Sequence, residues 1–458
     1  MNVDATKCSR RMFLGGALGC AALSGCRSAS IGAAVRPNLT LGLLADLHIG
    51  DEDGDFNKFG DASTFQHALE WFRDQGVDGV VIAGDMADNG MRSQLNRVGA
   101  AWERVFPRNR ASDGRKVEKL FVYGNHDVEG QFYDGYGQRF HDPVAFEAGW
   151  VQTDMAGAWQ EAFHEPFEPI WMKRVKGYQI IGANWIPGKW DGVAGIEPWF
   201  EKNAARIDRN RPFFFVQHPT PKNTSFGPDV WGHDAGYSTR ALAKYPNAVA
   251  FSGHCHCSAT DDRFIWQESF TAISIGSLRY GSIDNITTLM PPKEKLVGDV
   301  RRWRTRQGCL LKVYDYDMVL ESRDFLNDEY VREALVIPIP AAAEMPYRFA
   351  PRAEKAALPQ WPEGAKIAIA RNGEKFRISF PSAGGHPRVL FYTVCITGND
   401  GASMTKYVMQ PNFDMHSSRV PKVVDLELDA KEFPPGAKLS VSPVNSMRKR
   451  GATLTCGA

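Results

Sequence analysis

From Leu39 onward the chain repeats one pattern, an apolar run of strand length that stops abruptly on polar residues able to bind a metal. The runs are LTLGLLAD, VDGVVIAGD, KLFVYGN, PFFFVQH and NAVAFSGH. Their apolar positions are continuous rather than alternating, which predicts strands covered on both faces. Helical spacing lies between some of them, in TFQHALEWFRDQG and PWFEKNAARIDRN. Strand, helix, strand in that order predicts an α/β domain whose site lies at the strand ends. GYQIIGANW and SFTAISIGS fit as further strands with no evident ligand at their ends, and GCLLKVYDYDMVLESRDF fits a closing hairpin.

Three stretches depart from this pattern. Residues 131–176 are dense in aromatics and read either as a loop packed on the domain edge or as a lid shaping a substrate pocket. Residues 338–362, rich in Pro and Ala, have linker composition. Beyond them, residues 363–458 hold short strand-like runs (KIAIARNG, KFRISFPSA, RVLFYTVCITG, VVDLELDA, KLSVSPVNS) separated by turn residues. That texture resembles a fibronectin type III β-sandwich. The α/β domain then spans residues 39–337.

A chain of 458 residues has room for such a division, and its 43% apolar and 23% charged content excludes disorder as its theme. The first residues stand apart. CSRRMFLGGALGCAALSGC pairs Arg10 and Arg11 with an apolar stretch too short to cross a bilayer. It resembles a twin-arginine export signal ending in a lipobox. That implies removal of residues 1–25, a lipidated Cys26, a flexible tether over residues 26–38, and a place outside the cytoplasm, periplasmic or at the cell surface, on a membrane; a plain cleaved signal is the alternative. Residues 1–25 carry Lys7, Arg10, Arg11 and Asp4, so the formal charge falls from +1 to −1 without them. A near-neutral chain lacks the basic field of a nucleic-acid binder. Cys255, Cys257, Cys309, Cys395 and Cys456 then remain besides Cys26, odd in number and too scattered for a disulfide framework, although one isolated bridge is compatible.

The chemistry lies in the polar stops: Asp46-Leu47-His48, Gly84-Asp85-Met86-Ala87-Asp88, Gly124-Asn125-His126-Asp127, His218, and Gly253-His254-Cys255-His256. In extended backbone, residues two apart face the same way, so Asp46 with His48, and His254 with His256, are expected to converge. Cys255 and Cys257 then face away; a zinc site built on them is the rival reading. The glycines before Asp85, Asn125 and His254 suit sharp turns. Five of the chain's eleven histidines fall in these motifs, which makes the set far stronger than any member.

The series resembles that of the calcineurin-like metallophosphoesterases, in the family's order, over roughly residues 39–325. The resemblance implies two β-sheets flanked by helices in four layers, with two metal ions between the sheets. Asp46, His48, Asp85 and His256 would hold the first ion, and Asp85, Asn125, His218 and His254 the second, with Asp85 bridging. A bridging hydroxide would attack phosphorus, His126 would stabilise the transition state or protonate the leaving oxygen, and Asp127 would orient His126. Mixed oxygen and imidazole ligands suit manganese, iron or zinc. Asp88 stands where purple acid phosphatases carry a tyrosine, which argues against that branch; it reads as a helix cap or as an acceptor behind the ligands. A phosphomonoesterase, a DNA-repair-type nuclease and a non-catalytic metal-containing surface protein are the alternatives. None of the five motifs carries the Arg or Lys that a dianionic monoester calls for, and Arg279 in GSLRYGS is the nearest candidate, with a salt bridge its simpler use. Phe132, Tyr133, Tyr136, Trp185, Trp190 and Tyr280 would enclose a second ester group, or simply fill the core. The expected substrate is therefore a phosphodiester, small or carried on a lipid or sugar.

Overall fold

The computed structural model describes residues 36–51, 62–129, 149–187, 193, 195–227, 230–282, 296–297, 304–315, 317–338 and 345–457. Cys26, most of the expected tether, residues 131–148 of the aromatic stretch, and Phe132, Tyr133, Tyr136 and Trp190 lie outside the described residues.

The chain opens with β1 (Leu39–Leu44), β2 (Gly79–Ala83) and β3 (Glu118–Val122), and continues through β4 (Ile170–Val175), β5 (Tyr178–Ala183), β6 (Phe213–Val216), β7 (Ala248–Ser252), β8 (Ile265–Gln267) and β9 (Thr271–Ser274). After β10 (Leu296–Val297) come β11 (Gln307–Val313), β12 (Asp317–Asp324), β13 (Glu329–Tyr330) and β14 (Leu335–Pro338). One sheet has the order β13-β12-β11-β1-β2-β3, with β14 also on β12. The other has the order β4-β5-β6-β7-β9-β8. β1, β2 and β3 are parallel, as are β5, β6, β7 and β9.

The continuous apolar runs are explained by burial on both faces. Leu41, Leu43, Val81, Leu120 and Val122 pack between the sheets against Phe214, Val216, Val249 and Phe251. Their neighbours Leu44, Val80, Ile82 and Phe121 point the other way, onto α1 (Ala62–Asp74) and α2 (Arg92–Val105). Helix α1 buries Phe65, Ala68, Leu69 and Phe72, the spacing of one helical face. On the far side, Ile181, Phe213 and Phe215 pack against the helices Ile196–Asn203 and Tyr237–Leu242. Two sheets sandwiched by helices therefore make four layers.

Register sets the site. Leu44 pairs with Ile82 and Ile82 with Phe121, while Val216 pairs with Phe251 and Ser252 with Ser274. The parallel strands thus end level in each sheet, and their following residues share one rim, where open α/β sheets bind ligands.

Two expectations need correction. The aromatic stretch is not only loop or lid: β4 forms an edge of the second sheet, and the helix Met155–Phe163 buries Trp159 and Phe163 against the α2 layer. The Pro/Ala-rich segment is not a free linker. It carries the helix Phe349–Lys355, from which Arg352 donates to the carbonyls of Asp262 and Ile265, both at 2.6 Å. Anchored polar contacts of this kind override linker composition.

The remaining strands are β15 (Ala368–Asn372), β16 (Lys375–Pro381), β17 (Val389–Thr397), β18 (Ser403–Met409), β19 (Val423–Asp429), β20 (Lys438–Asn445) and β21 (Leu454–Gly457). β15-β16-β19 form one sheet and β10-β18-β17-β20-β21 another. Ile378, Phe380, Val394, Leu426 and Val441 share the core between them. β10 is supplied by the α/β part of the chain and pairs with β18, so the two parts are laced together.

Candidate metal centre

Asp46 and His48 follow β1, Asp85 follows β2, Asn125 opens α3 (Asn125–Glu129) after β3, His218 follows β6, and His254 and His256 follow β7. All seven are buried. Six of them fall into two groups of mutually close ligand atoms, Asp46 with His48, Asp85 and His256, and Asp85 with His218 and His254, each within 4.8 Å; Asn125 is in neither, and a third group joins His48 to Asp88 and His126. Asp85 belongs to both of the first two.

The backbone reaches this arrangement differently from the sequence reading. Asp46, His48, Asp85, His254 and His256 all have positive φ, between 46° and 67°. Convergence comes from alternating left-handed residues rather than extended strand, and His254 and His256 serve opposite groups. Left-handed non-glycine residues cost roughly 1–3 kcal/mol each and concentrate at functional sites. Backbone hydrogen bonds between the loops hold them: Asp46 N–H to Gly84 O at 3.0 Å, His48 N–H to Asp85 O at 2.9 Å, and Gly253 N–H to His218 O at 3.0 Å. The glycines also divide by cause. Gly84 does turn, at φ 84°, but Gly124 and Gly253 are required by crowding. A Cβ at Gly253 would lie 2.6 Å from Asp46 Oδ2, and one at Gly124 would overlap Asp85.

The imidazoles are oriented for ligation. His218 Nδ1 sits 2.7 Å from the Ala83 carbonyl, to which it donates. Its Nε2 then faces Asp85 Oδ2 at 3.1 Å. His48 Nδ1 meets Asp88 Oδ1 at 3.1 Å, which leaves Nε2 facing His256 Nε2 at 3.2 Å and Asp85 Oδ2 at 3.6 Å. His256 Nε2 lies 3.0 Å from Asp46 Oδ1. Imidazole nitrogens and carboxylates directed at one another need a proton or a cation between them, and the carboxylate behind His48 and the carbonyl behind His218 fix the tautomer that binds a cation. The residues present therefore fit metal binding, with Asp85 common to two of the groups.

Ionisation agrees. Burial, then the charge of His126, brings His48 down to about 4, and burial holds His254 well below the usual histidine range, so both are neutral. Burial alone would lower His218 too, but Asp85 outweighs it and raises His218 to about 9. A proton on its Nε2 occupies the place a cation would take, so metal binding there releases a proton.

Around the groups stand the other residues. His126 Nδ1 lies 2.7 Å from the Asp88 carbonyl, and its backbone N–H donates to Asp85 Oδ1 at 2.9 Å. The orienting partner of its ring is thus Asp88, whereas the role expected of Asp127 is not the one its carboxylate fills. Asp127 accepts from the N–H groups of Ala87 and Gly124, both at 2.7 Å, and ties the loops after β2 and β3 together. Burial, followed by the Asp85 charge, raises its carboxyl to about 7. Asp88 also pairs with Arg279, so that arginine is spent on a salt bridge, and the helix-cap reading gives way to that of an acceptor behind His48. Cys255 and Cys257 face the core beneath the site, with Cys255 Sγ 3.4 Å from Ser274 Oγ, and no cysteine joins a ligand group among the described residues. All five described cysteines are free.

Three aromatics line this region. Tyr280 stands 4.3 Å from the His256 ring centroid; Trp185, two residues past β5, lies 5.6 Å from His254 and 6.0 Å from His218. Trp231 stacks on His254 at 4.6 Å with an interplanar angle of 28°. The sequence reading passed over Trp231, whose signal was only its place in a Trp-Gly-His turn thirteen residues beyond His218.

Residues 39–258 match the family described as calcineurin-like phosphoesterase. No curated protein matches the chain. Among solved structures, a conserved uncharacterised protein from Streptococcus pneumoniae, itself described as a predicted phosphoesterase, is 13% identical, covers 66% of this chain and 97% of its own, and has a TM-score of 0.28. Vacuolar Protein Sorting 29 from Cryptosporidium parvum is 10% identical over 66% of this chain and 98% of its own, with a TM-score of 0.30. The domain and its ligand set support a metal-dependent hydrolase acting on phosphoester bonds.

Proposed function

We propose that the protein hydrolyses phosphodiesters at a two-metal centre held by Asp46, His48, Asp85, Asn125, His218, His254 and His256. The observation that carries the reading is the sharing of Asp85 between two groups of histidine and carboxylate side chains. Two cations, when bound, neutralise phosphoryl charge and acidify water. The chain supplies the rest: Asp85 holds both positions, Asp88 fixes the His48 tautomer and faces His126 with its carbonyl, and His126 is placed to give a proton to the departing oxygen. Manganese, iron and zinc all suit this donor set.

The diester preference rests on Arg279. A monoester brings a second negative charge that a free arginine would have to meet, and Arg279 is engaged by Asp88. The test is kcat/KM for bis(p-nitrophenyl) phosphate against p-nitrophenyl phosphate on the manganese-loaded protein. The diester is expected to be favoured; a monoester preference of about tenfold, or about 1.4 kcal/mol, would overturn it.

Export with lipidation at Cys26 belongs to the same proposal, supported by the Arg10-Arg11 pair and the Leu23-Ser24-Gly25-Cys26 sequence. Among the described residues no helix is long and apolar enough to cross a membrane. The three-stranded and larger sheets of residues 368–457 support the fibronectin type III-like reading of the C-terminal part.

A further inference from the structure

Trp231 is the most exposed large hydrophobic side chain among the described residues, at 56%, yet it does not sit on a loose loop. Thr220 N–H donates to Gly232 O at 2.9 Å and Asp234 N–H to Thr220 O at 2.9 Å, so the chain is bound just after the tryptophan, and Val230 before it is buried. Gly232 has φ 81° and lies so close to His254 that a Cβ would stand 2.6 Å from its Cδ2. The turn is therefore pressed onto a ligand of the metal centre. One face of the indole covers the His254 ring, and an exposure above one half leaves the opposite face to solvent. Exposing an aromatic face costs hydrophobic free energy, which a bound ring would recover.

A second observation comes from Trp185. It is 4% exposed, near both His218 and His254, and its indole Nε1 is buried without an acceptor among the described residues. Buried indole N–H groups ordinarily find a partner, so this donor is short of one. The exposed stacking face and the unmet donor thus flank the same histidine.

We infer that Trp231 and Trp185 form a subsite beside His254 that selects phosphodiesters carrying a planar aromatic ester group, Trp231 stacking on the ring and Trp185 donating to an ester or phosphoryl oxygen. This rests on the phosphodiesterase reading and adds the class of ester to it. Trp231 acts as a specificity residue: it contributes to binding of the ring and nothing to small alkyl diesters.

The test is calorimetric binding to the manganese-loaded full chain of two stable diester analogues, phenyl phenylphosphonate and methyl methylphosphonate, alongside manganese binding itself. The wild type is expected to bind the aromatic analogue about tenfold more tightly or better. Trp231→Ala should remove that difference with manganese affinity unchanged, Trp231→Phe should restore part of it, and Trp185→Phe should weaken both analogues about equally, by several-fold. Equal binding of the two analogues by the wild type would overturn the subsite, as would a Trp231→Ala variant that loses both alike or loses manganese. Aromatic preference without turnover of any diester would support the subsite while defeating the hydrolytic reading; turnover without aromatic preference would do the reverse.

Discussion

Two regions of the molecule are each organised around a buried carboxylate, and they treat it in opposite ways. At the strand-end rim, burial alone would raise the Asp85 carboxyl, yet His218 and His126 hold it well below the usual range. At the junction with the C-terminal sheets, Asp414 accepts from Thr305 Oγ1 at 3.1 Å and has no cation against it among the hydrogen bonds described; burial raises it to about 6. Asp85 is ringed by groups that want positive charge between them. Around Asp414 the neighbours partner one another: its carbonyl takes Gln307 Nε2 at 2.7 Å, and Gln307 Oε1 in turn accepts from Ser258 Oγ at 3.0 Å and Ala259 N–H at 3.1 Å. Burial without a partner is thus a request for a ligand in one region and for a proton in the other. Only the first gathers the ligand groups of a candidate metal site.

The junction nevertheless bears on the rim, because Ser258 lies two residues past His256 and Gly281, one past Tyr280, leaves only 3.2 Å between a would-be Cβ and Asp414 Oδ2. The largest effect should therefore come from cutting the regions apart. A chain ending at residue 358 loses the partner of β10, the Asp414 contacts, the Arg388 donation to Val331 O at 3.1 Å and the Arg419–Glu329 pair at 2.6 Å. Losing these contacts together with the apolar surface they accompany removes several interactions at once from a fold whose net stability is about 5–15 kcal/mol. We expect insoluble or unfolded protein, scored by soluble yield and circular dichroism; a soluble truncation with full manganese content and activity would show the regions to be independent.

Within the rim, Asp85→Asn is next. Its carboxylate is the only group common to both ligand clusters, so elemental analysis should find both metal positions depleted and turnover lost by roughly four orders of magnitude or more. Two retained metals would remove Asp85 from its bridging place.

How much of this was legible in the sequence follows from the same contrast. The α/β layers and the ligand loops could be read because continuous apolar runs ending on Asp, Asn and His are a local signal. Burial on both faces writes it into consecutive residues such as Leu39–Leu44. The left-handed backbone of Asp46 and His256 could not be read, since spacing alone fits extended chain equally well. Nor could the partner of His126: Asp88 was visible as a residue, but its contribution there is a main-chain carbonyl, which every residue has. β18 escaped because it is mostly half-exposed and polar, and the docking of Arg352 and Asp414 escaped because tertiary contacts 87 or more residues apart leave no local pattern.

His126→Ala separates chemistry from ligation inside the rim. His126 is half-buried beside His48, at 4.5 Å between ring centroids, and is not in either of the groups that share Asp85. Both metals should stay while kcat falls by roughly two to four orders of magnitude, as for loss of a general acid or oxyanion partner. Metal loss in parallel with activity would make His126 a ligand.

The smallest effect is expected at Asp414 and is one of pH. Folding raises its carboxyl from 3.8 to about 6, so the folded chain keeps this proton to higher pH than the unfolded chain does. The contribution to stability is fully present below about pH 4 and is lost as pH rises through 6, amounting to roughly 3 kcal/mol at most. Asp414→Asn replaces the ionisable group by a neutral one of the same shape, and its oxygen can still accept from Thr305. Comparing Tm of the wild type and the variant between pH 4 and 7 removes every other titrating group from the difference. The variant should lose less stability than the wild type as pH rises across that window; parallel curves would mean that Asp414 ionises alike in the folded and unfolded chain, and that the junction, like the rim, supplies its carboxylate with a partner.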